Sequence, residues 1–129
     1  MISFVDIRKV SGIMTVFEAY ISLGGDVMSD IYQSLSEKML VKFLRKLTED
    51  EQMLILEKAI IEKDRDAAYA AAHTLKGVTL NLSISRLANP LCGLTDALRA
   101  GFPQNAEELY QEVKAEFDYA VKVINLIEE

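Results

Sequence analysis

Arg65-Asp66-Ala67-Ala68-Tyr69-Ala70-Ala71-Ala72-His73-Thr74-Leu75-Lys76-Gly77-Val78-Thr79-Leu80-Asn81-Leu82 is the stretch on which the fold turns. Alanine and leucine dominate it and proline is absent, so a helix is its natural state. At about 100° per residue, with Leu75 at zero, Ala68, Ala71, Ala72, Val78, Thr79 and Leu82 all fall within about 60° of Leu75. That is a core stripe. His73 falls about 160° away, on the opposite side, together with Tyr69, Ala70, Gly77 and Leu80, and Lys76 stands at the edge of that side. Asp64 or Asp66 suits the N-cap.

Working outward, 3.6-residue periodicity with two prolines in 129 residues predicts an all-α chain. A first helical region ends at Gly24-Gly25. Ile31, Leu35, Met39, Phe43 and Leu47 recur at spacings of four and predict one helix with a single apolar side. Thr48 with Glu51 matches a capping box, so a new helix or a kink is expected there, with the pattern continuing to about Lys63. Ser83 or Ser85 suits the cap of the helix that ends before Gly101, and Pro90 is expected to kink or restart it. The last helix follows Pro103, with Leu109, Val113, Phe117, Ala120, Ile124 and Ile127 as its stripe. Met28, Met39 and Met53 read as core filling. Amphipathic helices joined by short loops pack antiparallel. The expected architecture is an antiparallel four-helix bundle over about residues 49–128, with short additional N-terminal helices in residues 1–23, all in one domain spanning 1–129.

A net charge of −6 gives no general attraction to nucleic acid or to an anionic membrane face. Cys92 is the single cysteine and cannot pair within the chain. One thiol and one histidine do not make a structural zinc site, so no metal is expected. Charge at Asp6 interrupts any signal-peptide core, and no apolar run reaches about 18 residues. The expected setting is cytoplasmic, with no nucleic acid or membrane partner.

His73 is the one histidine, and its surroundings are unusual for a solvated helix face, which normally carries Glu, Lys, Gln and Arg. Small and apolar residues surround it instead. Gly77, one turn on, costs about 1 kcal/mol of helix stability relative to alanine. Its gain is room beside the imidazole for another protein or a phosphoryl group. Lys76, at i+3, brings a cation that can offset phosphoryl charge. The competing interpretation of Gly77 is packing against a neighbouring helix, but its angle points away from the core stripe.

At His73-Thr74-Leu75-Lys76-Gly77 the sequence resembles the histidine-containing phosphotransfer (HPt) domain family of bacterial two-component phosphorelays. Ala70-Ala71-Ala72 before the histidine and Asn81-Leu82 after it add to the resemblance, as do Gly24-Gly25-Asp26 and Phe43-Leu44 upstream. It covers about residues 24–101. Ser83 stands where the family commonly has glycine, and Thr95 where it often has glutamate.

The resemblance implies that His73 accepts a phosphoryl group from a receiver-domain aspartyl phosphate and passes it to another receiver. It implies phosphate on the ring nitrogen farther from the backbone, charge stabilisation by Lys76 and access beside Gly77. The receiver supplies the acidic pocket and divalent metal, so this chain needs no cofactor. Implied partners are response-regulator receiver domains and a hybrid sensor histidine kinase, met by a monomer. Tyr69, Ala70, Thr74, Leu80 and Asn81 surround His73 and form the expected docking footprint. The chain carries no P-loop and no kinase ATP signature, so no ATP-dependent kinase activity of its own is expected. A Cys92–His73 nucleophilic pair is disfavoured by the outward direction of His73. The rival is an HPt-like helical adaptor or regulator that binds a kinase or receiver domain without transferring phosphate.

Overall fold

The structure, a computed structural model, describes residues 13–128. Within them lie seven helices: α1 (Val16–Ser22), α2 (Asp30–Ser34), α3 (Glu37–Thr48), α4 (Gln52–Ile61), α5 (Arg65–Asn81), α6 (Ser85–Arg99) and α7 (Ala106–Asn125). The described residues contain no strand, only two isolated bridges, Met14 with Ile127 and Gly25 with Ile84. The chain is all-α. The expectation for residues 1–12 lies outside the described residues.

Helix α5 packs against α4 and α6, α6 against α7, and α7 returns to α4, α3 and α1. Residues Ala68, Ala71, Ala72, Leu75 and Thr79 of α5 are buried, as the periodicity requires. Asp64 is the N-cap and accepts from the Ala67 amide at 3.1 Å. At the same end the Arg65 side chain donates to the last carbonyls of α6, Nε to Leu98 at 2.7 Å and Nη2 to Arg99 at 2.6 Å. These bonds satisfy orphan acceptors at a helix C-terminus and set α5 antiparallel to α6.

Three helix ends share one turn. After α5, the Ser83 amide donates to Leu80 and the Ile84 amide to Thr79. After α4, Lys63 donates to Ile60 and Asp64 to Ala59; after α1, Gly24 donates to Ile21 and Gly25 to Tyr20. This is the Schellman pattern, whose central residue is left-handed. Gly24 adopts φ +75 there at little cost, whereas Lys63 (φ +56) and Ser83 (φ +57) carry a Cβ.

The N-terminal segment is tied to the ends of α5 and α7. The Met14 amide donates to Leu126 at 2.6 Å, and the Glu128 amide to Met14 at 2.9 Å. Tyr20 is fully buried, stacks on Tyr32 at 4.7 Å, and donates its hydroxyl to the Leu82 carbonyl at 2.8 Å. Burial is the main reason its phenol titrates above the ordinary range. A Cβ at position 25 would run into the Tyr20 ring, which is why glycine follows Gly24.

Several local expectations are corrected. The run from Ile31 to Leu47 is two helices, parted at Leu35, whose backbone is extended. Ser29 and Ser36 each cap a new start, accepting from the Tyr32 and Met39 amides. Spacings of four advance about 40° per step, so a five-member run drifts about 160° and cannot share one side. The buried face of α3 is Leu40, Val41, Leu44 and Leu47. Thr48 does not cap α4; its hydroxyl donates to the Arg45 carbonyl, and Asp50 accepts from the Gln52 amide instead. Neither Ser83 nor Ser85 caps α6: Ile84 holds that position without a side-chain bond, and the Ser85 hydroxyl donates to the Gly24 carbonyl. Helix α6 runs through Pro90 without a restart. Met53 is core, but Met28 and Met39 are exposed.

Because Ser83 is held left-handed with no glycine to relieve the Cβ, Ser83→Gly should stabilise the fold by about 0.5–1 kcal/mol. Urea unfolding should show a higher midpoint at unchanged slope.

Candidate functional site

The outer face of α5 is set by what its inner face buries. With Leu75 fully buried and Ala72 and Thr79 likewise, His73 projects to solvent near mid-helix. Ala70, Thr74, Leu80 and Asn81 are exposed around it, and Tyr69, Lys76 and Gly77 are half-buried. Leu80 leaves half of its surface in water. The eight residues singled out in the sequence therefore lie on one outward-facing strip of a single helix. The Thr74 hydroxyl is turned back to the Ala70 carbonyl at 2.9 Å, so its methyl is left to the surface.

Gly77 answers the question that its helix cost raises. A Cβ built there meets nothing within 4 Å. No neighbouring helix needs the glycine, and the space beside the His73 face is open. The Lys76 ammonium, one turn from His73 on the same side, forms no ion pair among the described residues. It is available to an incoming anion.

Two residues absent from the sequence-derived set belong to this surroundings. His73 stacks on Tyr69, with ring centroids 5.7 Å apart and planes at 21°. Arg65 lies over the Tyr69 ring at 5.0 Å and Arg99 of α6 at 6.0 Å. Arg99 also pairs with Asp96 at 2.9 Å. The neighbouring Tyr69 phenol, followed by the bond to Asp96, holds the Arg99 guanidinium above its ordinary pKa. The i, i+4, i+8 spacing of Arg65, Tyr69 and His73 is a signal that the sequence does carry. Arg99 joins only through the antiparallel pairing of α5 and α6.

Among the described residues no group of three His, Cys, Asp or Glu side chains is arranged to hold a metal ion. Nor is any described helix long and apolar enough to cross a membrane. Chemically, the strip offers one accessible imidazole, one cation beside it and an unobstructed approach.

Compared with known proteins, the chain matches no family model, no curated protein and no solved structure.

Since nothing occupies the space a Gly77 side chain would enter, Gly77→Ala should raise stability by about 1 kcal/mol through helix propensity alone. A thermal or urea midpoint below that of the parent protein would mean that the glycine is structural.

Proposed function

We propose that the chain is a phosphorelay intermediate, in which His73 accepts a phosphoryl group from a receiver-domain aspartyl phosphate and passes it to a second receiver. The observation that carries this reading is an exposed His73 beside the open volume at Gly77, on the outer face of a helix whose other face is core. The resemblance to the HPt family supplies the donors and acceptors. On this reading α4 to α7 form an antiparallel four-helix bundle, and α1 and α2 are its short N-terminal additions.

The chemistry asks little of this chain. A neutral imidazole is a nucleophile near pH 7. The lone pair of Nε2 forms the N–P bond while the P–O bond to the donor aspartate breaks, and Nδ1 keeps its proton. The second transfer runs the same steps toward the acceptor carboxylate. Phosphoryl transfer in line needs positioning and charge stabilisation, which Lys76 and the partner's metal site provide. Tyr69, Ala70, Thr74, Leu80 and Asn81 form the docking footprint, with the half-exposed Leu80 as its apolar contact. Such encounters are transient and modest in area. The partners proposed are receiver domains and a hybrid sensor histidine kinase, engaged by a cytoplasmic monomer.

Incubation with a phosphorylated receiver should place an acid-labile, alkali-stable label on the protein. His73→Gln should abolish that label while far-ultraviolet circular dichroism stays unchanged. Gly77→Leu should fold and slow labelling by about tenfold or more, in line with the cost of displacing reacting groups by about 1 Å. Label retained on the His73→Gln protein overturns the assignment. Stoichiometric binding of the receiver without label would instead make the protein an adaptor.

A further inference from the structure

An exposed helical histidine ordinarily samples several orientations, two staggered χ1 wells and a roughly two-fold χ2, or about four in all. His73 is exposed, and no hydrogen bond to its ring occurs among the described residues. What holds it is the face of Tyr69, one turn earlier, at 5.7 Å and 21°. Tyr69 is in turn contacted by two arginines. Arg65 covers its ring at 5.0 Å and cannot swing away, because three bonds fix it: Leu98 carbonyl at 2.7 Å, Arg99 carbonyl at 2.6 Å and Asp66 carboxylate at 2.8 Å. Arg99, at 6.0 Å from the ring, is tied to Asp96. An unbroken series of contacts therefore leads from the C-terminal carbonyls of α6 through Arg65 and Tyr69 to the imidazole.

We infer that Tyr69 is a positioning residue for His73, fixing the plane of the imidazole for phosphoryl transfer, with Arg65 and Arg99 as its anchors. The inference rests on the phosphoacceptor reading above. The form of the contact suits the chemistry. A hydrogen-bonding orienter would occupy one ring nitrogen, whereas a face-on stack occupies neither. Nε2 stays free to form the N–P bond and Nδ1 to retain its proton. Both arginines are already neutralised in part by Asp66 and Asp96, so their geometry is that of anchors and not of free phosphate-binding cations.

Tyr69→Phe keeps the ring face and Tyr69→Leu removes it while keeping apolar bulk. In the parent protein and in Tyr69→Phe the His73 ring protons should show an upfield ring-current displacement in the NMR spectrum. Tyr69→Leu should lose it. In rapid-quench transfer from a phosphorylated receiver, Tyr69→Leu should lower the rate constant at saturation by about fourfold, the number of orientations released. The receiver concentration giving half the maximal rate reports the place of Tyr69 in the docking footprint and can rise in Tyr69→Leu, whereas Tyr69→Phe should restore the maximal rate. His73 resonances unmoved in Tyr69→Leu overturn the inference. So does a raised half-saturating concentration at an unchanged maximal rate, which would make Tyr69 a docking contact only. Failure of the parent protein to label at His73 is a separate result: it overturns the phosphoacceptor reading itself, whatever the ring-current signature.

Discussion

Burial of one stripe of small side chains along α5 is the constraint on which the site depends. Ala68, Ala71, Ala72, Leu75 and Thr79 are covered, with α4 packed on one flank and α6 on the other. Turning the helix by one residue's angle would expose Leu75, at about 2 kcal/mol, and drive Lys76 toward the core, at a larger penalty. No such alternative competes. The direction of His73 is thus fixed by hydrophobic burial on the far side of its own helix, without any bond to the histidine itself. Alanines also keep the helix surface shallow, which lets both neighbouring helices approach closely.

The site's rigidity follows from where it is built. All the outward-facing residues belong to one regular helix, and sites carried by helices hold their geometry better than sites carried by loops. Arg65 extends that order to the neighbouring helix. Its guanidinium caps the carbonyls of Leu98 and Arg99 and covers Tyr69 with the same planar group, a use of the fork and the flat face that lysine could not match.

Much of this was legible in the sequence, and the parts that were not share a physical cause. The orientation of α5, the Asp64 cap and the stop at Gly24 are local: each depends on residues within a turn or two. The break at Leu35 is hidden in the sequence because spacings of four imitate one face over short runs, and because Ser29 and Ser36 are competing starts. Serine favours the cap role, whereas the left-handed backbone of Ser83 is imposed by the return of the chain into α6. The place of Arg99 beside Tyr69 depends on helix pairing, which no local pattern encodes. The imidazole's outward direction was therefore readable, and the apparatus that orients its ring was not.

The bond from the Tyr20 hydroxyl to the Leu82 carbonyl spans 62 residues of chain. Its partner does not exist until synthesis has passed the whole of α5, so the early segment must wait, with Tyr20 and Leu23 unburied, while later helices form. Contacts of long sequence separation pay their loop-closure entropy before they are rewarded. The order of assembly that follows runs against the order of synthesis. The helical hairpin of α5 and α6 can form from local contacts, and the N-terminal segment then closes over its end as the late step.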